Sequence, residues 1–598
     1  YVSDGPKSQI KLFVNNYFLM KDKCGKLLNK TKAGYARERH AARLEWQSTD
    51  AHRELCQLKG KSADECQNYP RVAARAHGRL LVCGTNAFKP LCRRYARHPP
   101  NHHLEEFDGS GRCPYDPQHN STAIFVDGQL YTATAADFSG TDPLIYREPV
   151  RTERSDLRLL NDPSFVGAVA STSHVYFFYR ETAVEFMNCG KVIYSRVARI
   201  CLNDKGGPHT FSDRWTSFLK TRLNCSMPGE YPFYFDEIQA TTELINGMYG
   251  KSNSKNDIIY AVFTTPQNAI GGSAVCAFAM RDIIDAFEGS FKGQESMNSN
   301  WLPLEKEKLP ENTPGSCVED SRTLSDSAVN FIKTHPLMDK AVPSFLARPV
   351  LIRVSLQYRF SAIAVHPQVQ AMNGNKYDVM YIGTDDGRVI KAVNVAANEG
   401  DFDASVDEYS RNPVRTAVIS EVQVLPQGVP IKQMHVALTT EKLIVASGDI
   451  IRAVTLSHCG NVQSCRECVA LQDPHCAWDS KQQVCSWVGN RQFPNPESNR
   501  NPGTKKPTQS ESEINLFNSA DLLTVEAADG NIYSAQALLT AVVASCLVTL
   551  MVGFVIGYLF SRRFRHPFFT DTSPFNEQHN HLNRYLLITY KYFAKIEL

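Results

Sequence analysis

The chain lacks the short signatures of catalysis. It has no His-Glu-x-x-His, no Gly-x-Ser-x-Gly and no complete phosphate loop. Gly60-Lys61-Ser62 and Gly250-Lys251-Ser252 have no upstream glycine to cradle a phosphate. Carboxylates and histidines such as His335 are scattered, with nothing in sequence pairing them, so neither an enzyme nor a cofactor is expected. An excess of one charge is also missing: 65 Lys+Arg stand against 62 Asp+Glu, a net +3. That excludes a strongly basic nucleic-acid binder and a polyelectrolyte disordered chain. No exact internal repeat occurs, and Trp478-Asp479 is a lone pair rather than a recurring blade signature.

What is present is ample. The 598 residues are 42% hydrophobic and 21% charged, roughly four domain-lengths at about 150 residues each. Of the 17 cysteines, all but Cys546 precede residue 537, which points to an oxidising compartment. Residues 537–560 carry no charge, and at about 1.5 Å per residue they reach roughly 36 Å, enough to cross a bilayer. Ser561-Arg562-Arg563-Phe564-Arg565 follows, while Glu526 and Asp529 precede. The expectation is a single transmembrane helix over 535–560, with the head outside and residues 561–598 in the cytoplasm. Such a type I protein needs a leader, yet the chain begins Tyr1-Val2-Ser3-Asp4, as a mature or incomplete start would. Gly553 and Gly557 form a small-xxx-small pair that supports dimer packing.

Between residues 45 and 457 short apolar segments alternate with turn signals. Thr122-Ala-Ile-Phe-Val126, Asp127-Gly128 and Gln129-Leu-Tyr-Thr-Ala-Thr134 read as a hairpin, since Asp-Gly accepts the positive φ of a tight primed turn. Residues 378–383 and 388–393 flank Asp386-Gly387 in what reads as a second hairpin of the same kind, and residues 442–446 and 450–456 form another strand pair. Several of these strands are apolar on both faces and need cover on both, which favours stacked sheets such as propeller blades. The reading is all-β, with a helical interruption at residues 282–287; the blade number stays open. Residues 491–534 shift to Pro, Asn, Ser, Thr and charge and read as a flexible stalk. The tail after the membrane is too short for an independent signalling domain.

Several motifs carry a family resemblance. Trp46-Gln-Ser-Thr-Asp-Ala-His-Arg-Glu-Leu-Cys56, Cys66-Gln-Asn-Tyr69 and Leu81-Val-Cys-Gly-Thr-Asn-Ala-Phe88 resemble the opening of a semaphorin sema domain. Gly111-Arg-Cys-Pro-Tyr-Asp-Pro117, Gly140-Thr-Asp-Pro-Leu-Ile-Tyr-Arg147, Ser195-Arg-Val-Ala-Arg-Ile-Cys201, Phe331-Ile-Lys-Thr-His-Pro336 and Leu356-Gln-Tyr-Arg-Phe360 continue it through residue 457. The cysteine pattern from Cys459 to Cys485 resembles the PSI module over 458–490, which ends early. With one span and no immunoglobulin domain, the chain resembles class 1 transmembrane semaphorins.

That resemblance implies a seven-bladed β-propeller followed by a small disulfide-rich PSI module and a single transmembrane helix. It implies a membrane-tethered guidance cue that dimerises and binds plexin A to steer axons and cell migration. A receptor for reverse signalling through the tail, and an adhesion or matrix protein independent of plexin, are the alternatives. It places plexin contacts at Arg154, Ser155 and Lys333 and a dimer interface at Ile270 and Ser355. It pairs Cys56 with Cys66, Cys83 with Cys92, Cys201 with Cys317, Cys225 with Cys276, Cys459 with Cys476 and Cys468 with Cys485; Cys113 with Cys189 follows only by elimination. Cys24 and Cys465 are left unmatched. A redox or zinc role for Cys465-Arg-Glu-Cys468 is disfavoured, because no second ligand pair follows at zinc spacing. Residues 1–44 depart from the family and lack the strand-rich segment expected of the first blade. Pro70 stands where a β-branched residue is usual. Sequons at Asn29, Asn120 and Asn224 mark candidate glycosylation sites on an extracellular head.

Overall fold

The computed structural model describes residues 9–10 and 44–488, apart from 77–78, 97–102, 251–252, 297–298, 311–313, 400–413 and 449. Six antiparallel meander sheets succeed one another along this chain. The first holds strands Pro70–Ala76, Arg79–Gly84, Leu91–Tyr95 and His103–Asp108; the second runs from Thr122–Val126 to Val150–Arg151. The third runs from Ser164–Ala170 to Leu219–Arg222 and the fourth from Glu237–Thr241 to Leu351–Val354. The fifth spans Phe360–Gln370 to Thr416–Gln423, and the sixth has three strands, Gln433–Ala437, Lys442–Ser447 and Ile450–Thr455. The leading strand of each sheet packs on that of the next, from the first sheet to the sixth, which is how propeller blades stack.

The doubly apolar strands are covered on both faces, as two-sided packing requires. His174–Thr182 buries Val175, Phe177 and Tyr179 toward the second sheet, and Tyr176 and Phe178 toward the fourth. Each such side chain contributes about 1.5–3 kcal/mol on leaving water. Gly272–Ala279 is buried along its whole length between the same kind of neighbours.

The Asp127-Gly128 hairpin forms as its sequence predicts: Val126 pairs with Gln129, and both turn residues take positive φ, 48° and 83°. The Asp386-Gly387 hairpin forms between Lys376–Thr384 and Arg388–Asn394, but its turn differs in kind. Only Gly387 there is left-handed, at φ 91°, because the Thr384 hydroxyl bonds the Asp386 carboxylate and receives the Arg388 amide, closing a longer loop. Pro70 stands at the first position of its strand, and a register shift before Val72 accommodates it. The helix at residues 282–287 begins two residues earlier, as Met280–Phe287.

The blade count is a correction: six blade sheets, each of three or more strands, are found among the described residues, not the seven that the family pattern implies. A blade needs strands long enough to bury two faces, and upstream of residue 46 the described ladder is only Gln9–Ile10 against Leu44–Glu45. No helix among the described residues is long and apolar enough to cross a membrane; residues 537–560, the stalk and the tail lie outside them.

The module after the sixth sheet is a helix, Cys465–Ala470, capped by Ser464, and a ribbon of Cys476–Asp479 with Val484–Trp487. It is fastened to the propeller by a buried ion pair between Lys391 and Asp473. Beside it, His475 Nε2 lies 2.9 Å from His366 Nδ1, with the Trp487 ring stacked on His475.

Candidate functional site

The two segments assigned to receptor contact lie 180 residues apart and meet on one rim. Thr152 is buried and stapled to the second sheet: its amide donates to the Ile145 carbonyl at 3.1 Å, and its hydroxyl accepts from the Ile145 amide at 3.1 Å. The chain then reverses at Ser155, whose φ is 58°, and lifts Glu153 and Arg154 outward. Lys333 arrives on the helix Asp326–Thr334. Ser325 caps that helix through its hydroxyl, which accepts the Ala328 amide, and Ala328, Val329 and Ile332 are buried beneath it. Lys333 therefore flanks the buried face, and its Nζ reaches Glu153 Oε2 at 2.9 Å.

Charges on this rim are shared. Arg214 Nη1 also reaches Glu153 Oε1 at 3.0 Å. Asp142, nearly buried, takes Arg151 at 2.6 Å and Arg154 at 3.1 Å; the Arg154 side chain is 71% exposed. Asp156 holds Arg158 at 2.8 Å.

Behind the loop lies an ionic cluster in which Glu181, Arg196 and Lys220 are fully buried and Glu185 largely so. Glu181 Oε1 accepts from Arg196 Nε at 3.0 Å and from Lys220 Nζ at 2.5 Å, and Arg196 reaches Glu185 at 2.5 Å. Lys220 also donates to the Leu159 carbonyl at 3.0 Å, and Glu181 Oε2 accepts the Asn161 amide at 3.1 Å. Burial pushes the Glu185 carboxyl upward, but the Arg196 guanidinium outweighs it and holds it down to about 2. The cluster thus ties the surface loop to the core of the third sheet.

The residues assigned to dimer contact also meet. Ile270 projects from the loop before Gly272–Ala279 and is 68% exposed, and the Ser355 amide donates to the Gly271 carbonyl at 2.9 Å. Ser355 uses its hydroxyl locally, accepting the Gln357 amide at 3.1 Å. Val354 and Leu356 on either side are 70% and 97% exposed, making an apolar tip with Ile270. The sequence reading missed Val354 and Leu356. The signal was available, because an apolar pair flanking Ser355 at the end of a strand has one face with nothing to cover it. Arg214 was missed as well; Glu153 falls within the contact segment 152–156, but no local signal pairs either of them with Lys333.

Six disulfides join Cys56–Cys66, Cys83–Cys92, Cys201–Cys317, Cys225–Cys276, Cys459–Cys476 and Cys468–Cys485. The pairing of Cys113 with Cys189 is corrected: both are free. Cys113 is buried among Val72, Leu81, Cys83 and Cys92, where burial pushes its thiol up to about 12. Cys189 ends the short helix Val184–Cys189 and faces water, in a different sheet connection. Cys465 is free and exposed, and Cys24 lies outside the described residues. Among the described residues His174, Cys201 and Cys317 converge at metal-ligand range, but both sulfurs are committed to a disulfide and offer no thiolate.

Asn120 is exposed, its Nδ2 donating to Ser164 Oγ at 2.7 Å. Asn224 is half-buried, its amide N–H donating to Val342 and its Oδ1 buried without a partner. Asn29 lies outside the described residues.

Comparison with known proteins decides the family. A model of the Sema domain matches residues 238–438, and one of the Plexin repeat matches residues 458–510. Semaphorin-1A of Schistocerca americana is 51% identical over 604 residues, covering 91% of this chain and 81% of that protein. This chain belongs to the semaphorin family. Semaphorins are signalling ligands rather than enzymes, in keeping with the missing catalytic signatures. Semaphorin-1A of Drosophila melanogaster is 45% identical over 87% of this chain and 62% of that one. The solved extracellular domains 1-2 of Drosophila Semaphorin 1b are 51% identical with a TM-score of 0.71, over 76% of this chain and 86% of that one. The structure of Drosophila Plexin A in complex with Semaphorin 1b matches at 52% identity and a TM-score of 0.70, over 76% and 86% of the two chains. The head, with six blades among the described residues, is thus a semaphorin head carrying the PSI module.

Proposed function

We propose that this semaphorin is a membrane-tethered guidance cue, single-pass and type I at the plasma membrane, that binds a plexin A receptor through the rim at Arg154, Ser155 and Lys333 and so steers axons and cell migration. The observation that carries this reading is the convergence of the 152–158 loop and Lys333 on one charged, well-anchored rim. The Semaphorin 1b complex with Plexin A supports it, since that relative shares half its residues with this chain. The apolar tip of Ile270, Val354 and Leu356 is the homodimer face, and a twofold dimer lets two weak receptor sites engage together.

The test is soluble plexin A ectodomain titrated onto intact cells that express the full chain, with surface level measured through an N-terminal tag. Saturable binding that Lys333→Glu weakens supports the proposal. Good surface expression without binding would remove plexin A as the partner, and absence from the surface would remove the tethered cue itself.

A further inference from the structure

The rim holds an acid that the receptor reading does not use. Glu153 Oε1 lies 3.0 Å from both Lys333 Nζ and Arg214 Nη1, so one carboxylate serves two cations. Arg214 has a second acid, Asp213, whose Oδ1 accepts Nε at 3.0 Å. Lys333 has Glu153 alone among the described residues. Under the three side chains lies an apolar slot lined by Leu159, Phe211, Trp215, Phe218, Val329 and Ile332. Glu153, Arg214 and Lys333 are all partly exposed, so the clamp stands at the mouth of that slot and within reach of a partner.

We propose, resting on the reading that this rim meets the receptor, that Glu153 is a placeholder for a receptor carboxylate. In the free head Glu153 keeps the long Lys333 side chain in one extended pose, removing rotamer freedom before docking rather than during it. On docking, a receptor acid takes over Lys333, and Glu153 stays with Arg214, which Asp213 keeps in place. A partner without an acid at that position strips Lys333 from Glu153 and returns nothing, so the clamp selects against it. Glu153 is therefore a specificity-determining residue and Arg214 a positioning one.

The sign of the effect follows. Glu153→Gln retains an acceptor oxygen for Lys333 and Arg214, so the pose survives, but the charge that competes with the receptor is gone. Plexin A ectodomain should bind E153Q about two- to fivefold more tightly at low salt, the size of one partly exposed ion pair, with the gain shrinking at high salt. In a Lys333→Gln background the same change should give no gain. The experiment titrates the ectodomain against wild type, E153Q, K333Q and the double variant on the full chain, with thermal melts confirming that each head is folded. Unchanged or weaker binding by E153Q, or an equal gain without Lys333, overturns the placeholder role while leaving the receptor reading intact. If wild type fails to bind, or K333Q binds as wild type does, the receptor reading falls and the placeholder with it.

Discussion

The rim around Lys333 and the tip around Ile270 face water with opposite chemistry. On the rim every named cation already has a carboxylate within 3.1 Å, and the loop beneath is tied to a buried ionic cluster. On the tip three apolar side chains stand exposed while Ser355 bonds its own backbone neighbours. Pre-paired charges contribute rate and selectivity more than affinity, because a partner must displace the existing pairs. An uncovered apolar face contributes affinity with little selectivity beyond shape. The two surfaces should therefore respond differently to salt, pH and substitution, and that difference can be broken or sharpened by experiment.

The largest effect should come from removing the rim's foundation. Glu181→Ala leaves Arg196 and Lys220 buried against each other without their shared acid, a loss of about 3–5 kcal/mol in chemical denaturation. The tip, on the fourth sheet, should keep its association for as long as the head stays folded. Next in size, Ile270→Glu places a charge in the apolar tip and should cost about 2 kcal/mol of self-association, leaving a monomer by sedimentation at both low and high salt. An unchanged sedimentation mass would remove the tip as a dimer face.

Acid supplies a third comparison, at a polar contact that is neither rim nor tip. Burial first, then the positive charge of Lys391, keeps the His475 imidazole below its ordinary value. Burial, with neighbouring His475 and Lys391, lowers His366 to about 4; Asp473 and Glu441 favour the charged form of His475. Unfolded histidine takes up its proton near 6.5, so the unfolded chain binds more protons than the folded one between that pH and about 4. The contribution of this contact is complete above pH 6.5 and falls by about 2 kcal/mol on acidification through that window, allowing for the partial exposure of His366. Melts of His366→Gln should flatten that slope, and an unaltered slope would exclude the pair as its source. The smallest effect is at the rim itself. Lys333→Glu should weaken plexin binding by about 1 kcal/mol, more at low salt than at high. A loss insensitive to salt would make Lys333 a packing residue and erase the contrast with the tip.

Much of the fold was legible locally. Asp127-Gly128 is a primed turn because the two residues tolerate positive φ wherever they occur between strands. Strands apolar on both faces, such as His174–Thr182, announce cover on both sides without reference to what covers them. Asp386-Gly387 was misread in kind, because the Thr384 hydroxyl takes part in the turn and a dipeptide signature does not include it. The candidate site was legible only through family resemblance: Arg154, Ser155, Lys333, Ile270 and Ser355 came from matched motifs, and nothing in periodicity marks them. Elimination failed for Cys113 and Cys189, because a thiol buried among Val72 and Leu81 serves as a small apolar side chain and needs no partner.

By itself the sequence determined what depends on neighbours along the chain: the Asp127-Gly128 turn, which strands are two-sided and the semaphorin membership that its motifs carry. Backbone preference and hydrophobic pattern act over a few residues, so a few residues suffice to read them. Tertiary structure alone decided that six sheets stack among the described residues, that Glu153 stands between Lys333 and Arg214, and that Val354 and Leu356 share a tip with Ile270. Those juxtapositions join segments tens to hundreds of residues apart. They are set by how whole sheets pack, a sum over many contacts of which no single stretch of sequence carries a record.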